Sequence, residues 1–367
     1  MKFFSFIFLI FISVQFSFAQ HVEFQGQFLG WSLCNARNAQ NSEFGLRFFP
    51  KLNFSQQLNK NVALQSNLTL DGRFNQNFSD ELNLEQNSHF QIYRLWLRLQ
   101  SQQMELRIGR QKINFGQARY LRSLMWFDKI DPRDPLQLTP GVDALLFRYF
   151  WLNNANLWFW SVYDEGKQLG LDRFKGQKDS WQFGGRFQYP LPFAEMAVTF
   201  HQKKIVYQAH HHGFERRLAL DGFWDVGPGL WFEYALSKSS VPDSLLSIAH
   251  YLTLGSDYTF GFGNGLHCSL ELLSISLNKR FFTRVEQLTF VAFELDYPLT
   301  LLDQLLLLSL YSDQGQTFVH YLNWQRAYDN WLIYLSLFYS TKSMSFYDNQ
   351  AIPLVDRGLR LMVVFNF

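Results

Sequence analysis

The sequence predicts an all-β protein, a transmembrane antiparallel β-barrel of about eighteen strands, with sixteen to twenty as the range. Three observations predict it. The chain is rich in aromatics without being blocked into apolar runs. Its residues alternate apolar and polar over unusually long stretches. Its connections alternate short and long.

Composition sets the first bound. Among 367 residues, 18% are aromatic, 40 of them Phe, and only 17% are charged, where many soluble proteins carry about 25%. Mean hydropathy is nevertheless −0.14. Past the N-terminus no apolar run approaches the ~18 residues of a membrane helix. Dispersed apolar surplus is what a barrel needs, because only alternate residues face lipid. Lys+Arg 33 against Asp+Glu 31 gives no argument for nucleic acid or for a strongly acidic partner.

"MKFFSFIFLIFISVQFSFAQ" reads as a secretory signal. Lys2 is the charged start, Phe3 to Phe16 is mostly apolar, and Ser17-Phe18-Ala19 supplies the small residues before a cut. Residues 1–19 are therefore expected to be removed, and 20–367 to form one barrel domain in the outer membrane. Cys34 and Cys268 lie far apart in unlike contexts, so no disulfide is expected.

From Gln20 onward the alternation has period 2. In "NVALQSNLTLDGRF", Val62, Leu64, Leu68 and Leu70 share one face, and Gln65, Asn67, Thr69 and Asp71 the other. The end, "RGLRLMVVFNF", puts Leu359, Leu361, Val363, Phe365 and Phe367 on one face. Tight connections are read at 58–61, 101–103, 153–155, 190–192, 227–229, 261–265, 298–303 and 327–330. Longer, more polar ones fall between them: 34–41, 74–89, 114–140, 165–178, 206–213, 240–247, 277–284, a short 312–315, and 341–357. Outer-membrane barrels show this asymmetry, with short periplasmic turns and longer outside loops. A secreted sandwich also alternates, but strands of ten or more residues exceed the usual five or six of soluble sheets. Aromatics also gather beside the short turns, at Tyr189, Phe260, Tyr297, Tyr328 and Trp331.

A Lys or Arg facing lipid near mid-bilayer costs ~2–4 kcal/mol in a barrel, which decides strand phase. In "HFQIYRLWLRLQ", Tyr93, Leu95, Leu97 and Leu99 are expected to face lipid, so Arg94 and Arg98 face the lumen. Arg107 and Arg186 are placed inward by the same test. Arg148 is placed there too, although Leu146 and Phe150 share its phase. Glu195, Asp221, Glu233, Asp257, Glu271 and Glu294 also fall on inward phases. The arginines either pair with such acids to fill a polar interior or form a track for anionic or polyhydroxy solutes, since a planar guanidinium binds carboxylate or phosphate bidentately.

"WFDKIDPRDP", Trp126 to Pro135, breaks the strand rule with five charged residues and two prolines in ten positions. It belongs to the longest connection, 114–140, whose Tyr120, Leu121, Leu124, Met125, Trp126 and Phe127 are too apolar for a disordered segment. The spacing of Leu121, Leu124 and Met125 predicts a short helix near 118–126. Pro132 and Pro135 bar helix and ladder pairing beyond it. The segment either caps the barrel or folds into it as a constriction. The constriction is the expectation, with Asp128, Asp131 and Asp134, and Arg133 between them, facing the arginine wall.

"IGRQKINFGQARYLRSLMWFDKIDPRDP" resembles the Gly-Arg-Gln strand end, glycine and charged loop of porin-like outer-membrane channels, the alginate-export family being the nearest. The resemblance covers about thirty residues. It implies an eighteen-stranded barrel with an arginine-lined pore, and places Arg110 and Gln111 at the top of the fifth strand, Arg110 turning inward through a bulge at Gly109. It does not carry a substrate over.

No enzyme constellation stands out. His201, His250, His267 and His320 are scattered, and the consecutive His210, His211 and His212 cannot converge on one ion from a strand. No cofactor and no metal site is expected. The function expected is passive passage of polar or anionic small solutes or oligosaccharides. The alternative is a structural or surface-binding membrane protein without open-channel activity. The partners expected are outer-membrane lipid and the solutes; a monomer and a trimer both remain open.

Overall fold

The computed structural model describes residues 21–35, 42–78, 85–128, 130, 134–207, 211–242, 246–280, 283–341, 344–345, 351–352 and 356–367. The signal read at 1–19 lies outside them. Among the described residues, eighteen strands form one closed antiparallel barrel: β1 (His21–Asn35), β2 (Ser42–Asn59), β3 (Val62–Phe78), β4 (Glu85–Gln100), β5 (Met104–Gln111), β6 (Val142–Phe150), β7 (Asn156–Asp164), β8 (Ser180–Leu191), β9 (Ala194–Tyr207), β10 (His211–Asp225), β11 (Gly229–Ser239), β12 (Ile248–Phe260), β13 (Leu266–Arg280), β14 (Thr283–Pro298), β15 (Asp303–Ser312), β16 (Thr317–Ala327), β17 (Trp331–Ser340) and β18 (Asp356–Asn366). Each strand pairs with the next, and β18 returns to β1 with Gln27 opposite Asn366 and Asn35 opposite Gly358. That last pairing abolishes the sheet edges, so every strand finds its ladder within the chain. A two-residue strand, Lys175–Gly176, lies against the upper end of β9.

The predicted tight turns fall at one end of the barrel, and the other end carries the long connections 112–141 and 165–179. The connections read at 206–213 and 277–284 shorten to three and two residues, because their strands run on to Tyr207 and Arg280. Tyr189, Phe260, Tyr328 and Trp331 stand exposed at the short-turn end, as an interfacial aromatic girdle does. Along β10 the burial alternates residue by residue: Phe214, Leu218 and Leu220 are exposed while Glu215, Arg217, Ala219 and Asp221 are buried. The polar phase therefore faces the interior and the apolar phase faces out, the inverse of a soluble protein.

Two places depart from simple alternation. Thr69 pairs with Arg94, but Leu70 pairs with Ile92, so one residue is bulged out of β4. The bulge turns Tyr93 inward, where its hydroxyl accepts a hydrogen bond from the Thr139 amide at 3.0 Å. The lipid-facing assignment of Tyr93 is thus corrected. Ile92 takes the outward phase in its place and is exposed.

The second departure is the interior itself. Ile113, Phe115, Leu121, Leu124, Trp126 and Phe127, from the connection between β5 and β6, form a buried apolar core with inward residues of the wall. These include Leu146, Trp160, Ala219, Ala235, Tyr251, Leu273, Phe290 and Leu308. This explains why Leu146 shares the inward phase of Arg148: the lumen is apolar wherever the inserted segment packs. The helix expected over 118–126 is absent. The segment is a succession of turns, because its amides bond to the barrel wall rather than to carbonyls four residues back.

Candidate functional site

The described part of the connection 112–141 runs through the barrel interior and is held at several points of the wall. Glu271, the sixth residue of β13 and 0% exposed, accepts the backbone amides of Arg119, Tyr120 and Leu121 at 2.6, 2.9 and 2.7 Å. Glu233, the fifth residue of β11 and equally buried, accepts those of Ala118 and Leu124 at 2.9 and 3.0 Å. The Ser123 and Thr253 hydroxyls meet at 2.8 Å, and the Tyr120 hydroxyl donates to Glu294. Burial, with the Glu294 and Glu271 carboxylates, pushes the Tyr120 phenol well above its usual range. An irregular backbone can sit in a barrel only if such groups replace its water. Glu233, Glu271 and Glu294 were legible as inward carboxylates; their partners, a row of backbone amides and the Tyr120 hydroxyl, were not.

Further along, the segment reaches the other side of the barrel. Leu136 packs on Leu29, Tyr334, Met362 and Val364, from β1, β17 and β18. Arg94 donates to the Thr139 carbonyl at 2.7 Å, and its guanidinium lies over the Tyr93 ring. A second connection, 165–179, joins the insert. The Leu171 amide donates to the Met125 carbonyl at 3.2 Å. Asp172 pairs with Lys203 at 2.7 Å and with Arg217, and Glu215 pairs with both cations as well. This second insert gave no sequence signal beyond its length.

The arginines divide into three groups. Arg98, Arg107 and Arg148 surround one acid, Glu105, with closest nitrogen–oxygen distances of 4.0, 2.7 and 3.9 Å. Arg98 also binds the Gln65 carbonyl oxygen, and Arg148 lies over the Trp158 ring at 3.8 Å. All sit near the short-turn ends of β4 to β7, below the inserted segment. Glu105 was missed in the sequence although it shares the phase of Arg107. Arg186 is buried and forms two hydrogen bonds to Asp221, at 2.6 and 2.7 Å, so it is neutralised within the wall. Arg110 is a correction. It pairs across the ladder with Asp143 and shares the phase of the exposed Leu106 and Ile108. Gly109 takes φ +114°, but the chain does not turn Arg110 inward there. Its guanidinium is held on the outer face by Asp143, at 2.9 Å twice, and by Glu165.

Asp128 and Asp134, the described acids of the insert, are held mainly by their own segment, and Asp128 also lies within electrostatic reach of Arg94. Asp128 is 2% exposed, accepts the Thr139 hydroxyl at 3.2 Å and lies 3.6 Å from Arg122 of its own segment. Burial pushes the Asp128 carboxyl up, against the pull of Arg122 and Lys112. Asp134 accepts the amides of Leu136 and Leu138, at 3.1 and 3.2 Å, as an Asx turn does. Both are consumed in shaping the insert. Asp131 and Arg133 lie outside the described residues, as does His210. Cys34 and Cys268 are free. Among the described residues, no cluster of His, Cys, Asp and Glu could hold a metal ion. Thr69 does face inward, but at 3% exposure it is packed rather than bathed.

No protein-family model matches the chain, and no curated protein matches its sequence. Solved structures do match. OccK5 (OpdH) of Pseudomonas aeruginosa superposes with a TM-score of 0.62 at 12% identity, covering 95% of this chain and 99% of that one. The fold is that of the outer-membrane porins. OccAB4 of Acinetobacter baumannii follows, at 0.57 and 9% identity over 95% and 98%. An anion-selective porin from Comamonas acidovorans gives 0.51 and 13% over 95% and 99%. At these identities the likeness establishes the barrel and says nothing of the solute.

Proposed function

We propose that the protein is an outer-membrane channel for polar or anionic small solutes or oligosaccharides, with the insert 112–141 as its constriction and the arginines of β4 to β6 as its selective wall. The observation that carries this reading is the gathering of Arg98, Arg107 and Arg148 around the single Glu105. Three guanidiniums against one carboxylate leave two positive charges uncompensated in the lumen. Close to low-dielectric walls, such charge raises the local concentration of anions and replaces part of their hydration. Arg94 borders the same wall higher up, on the insert. Arg186 is a poorer candidate because Asp221 already holds it. The resemblance of Ile108–Pro135 to alginate-export channels supports only the arginine-lined wall. The Asp-Pro-Arg-Asp-Pro segment corresponds to no alginate chemistry, and the fold likeness does not single out that family.

Reversal potential across a salt gradient in planar bilayers tests the reading. Wild type should prefer anions, and Arg107→Gln with Arg148→Gln should move the potential toward cations. A second reading, a plugged barrel without open-channel activity, is favoured by the double insert and its buried Asp172–Lys203–Glu215–Arg217 network. Absence of any current from folded, inserted protein decides for it.

A further inference from the structure

The outward face of β9 to β11 carries an arrangement that the lumen does not explain. Lys204, Arg216 and Lys238 all lie on the lipid-facing phase and are all exposed, between inward neighbours that are all buried. Arg216 stands directly opposite Lys238 on β11 and opposite Gln202 on β9, and its Nε donates to the Gln202 carbonyl oxygen at 3.1 Å. Lys175 joins them from the short strand beside Val206. None of the four cations has an ion pair among the described residues. Asp179, also exposed, is engaged by the Tyr163 hydroxyl at 2.5 Å. Elsewhere on the barrel the outward cation Arg110 carries two carboxylates of its own, whereas here four cations gather on neighbouring strands.

Its height decides what it meets. Arg216 is eight residues up β10 from Trp224, at the short-turn end. With ~3.3 Å per residue and a tilt of ~40°, that places it about 20 Å above the girdle, close to the upper limit of a ~25 Å apolar band. Below it the same face is apolar, with Leu218, Leu220, Val198 and Phe200 exposed. A cation directed into hydrocarbon would be disfavoured, and a ladder of three would be more so. At the headgroup level of the outer leaflet the same ladder meets anions, and apolar surface runs on below for the acyl chains.

We propose that Lys204, Arg216 and Lys238, with Gln202 and Lys175 at the margin, bind the phosphate of a phosphorylated lipid in the outer leaflet. The fork of Arg216 and the ammonium groups on either side would hold a phosphomonoester with several charge-assisted bonds. The acyl chains would lie along the Leu218–Leu220 face. This site is independent of the channel reading and leaves conductance untouched.

The test uses full-length protein in neutral detergent, titrated with phosphatidic acid, phosphatidylcholine or inorganic phosphate, with bound ligand counted by native mass spectrometry. Phosphatidic acid should bind, and inorganic phosphate should not displace it at matched concentration. The triple change K204Q/R216Q/K238Q should weaken binding about a hundredfold, and R216Q alone about fivefold. K60Q, in a short turn at the other end, should leave it unchanged. Heat-modifiable gel migration confirms that each variant is folded, and R216Q serves should the triple variant fail to fold. Equal binding by wild type and R216Q, or displacement by inorganic phosphate as readily as by the lipid, overturns the proposal.

Discussion

Removal of the Glu271 carboxylate should release the near end of the inserted segment. In Glu271→Ala the amides of Arg119, Tyr120 and Leu121 lose their common acceptor. Hydrogen bonds to a charged group contribute roughly 1.5 kcal/mol each at the low end, so three amount to about 4–5 kcal/mol. The variant also escapes the cost of burying the carboxylate, which returns a kcal/mol or two. The net loss for local docking is about 3 kcal/mol, or roughly a hundredfold in the population of the undocked segment. Amide hydrogen exchange in nanodiscs reads this directly. Exchange over 118–124 should quicken about a hundredfold while the strands keep their protection. Glu271→Gln should fall between, because an amide oxygen still accepts one or two of the bonds without the charge. Unchanged exchange over 118–124 in a folded Glu271→Ala barrel would refute the claim that this carboxylate anchors the insert.

Deleting residues 119–138 should raise single-channel current if the insert is the constriction; an unchanged current in inserted protein assigns the narrowing elsewhere. Leu254→Arg, on the exposed outward phase of β12, should destabilise folding into bilayers by ~2–4 kcal/mol. Gln325→Arg should stay within about 1 kcal/mol, since the inward Gln325 lies opposite Gln304, which donates to Asp296; urea titration in lipid vesicles compares the two. Gly109→Ala should cost at least 1–2 kcal/mol in the same titration, because its φ is +114° and a Cβ there runs into the Leu95 carbonyl oxygen. Glu105→Gln should strengthen anion preference in reversal potentials, as it leaves three guanidiniums without their shared counter-charge.

The chain alone determined the barrel. Strand phase follows from local facts that hold whatever the tertiary arrangement: a side-chain period of two, turn residues at eight places, and the penalty of a charge in lipid. That is why all eight short turns and the inward phase of Arg98, Arg107, Arg148 and Arg186 were legible in it. Local facts could not reveal the one-residue slip at Tyr93, since a bulge answers to the neighbouring strand's register. The family resemblance misplaced Arg110, which strand phase alone puts on the outer face beside Asp143. The Trp126–Pro135 segment announced itself as an exception, but its meaning lay elsewhere. Asp128 and Asp134 were spent on Arg122, Thr139 and the segment's own amides, while Glu233 and Glu271, more than a hundred residues away, took the backbone it would otherwise leave unpaired. Only the closed barrel brings those groups within hydrogen-bond reach, so only the tertiary structure decided which charges serve the path and which hold the insert in place.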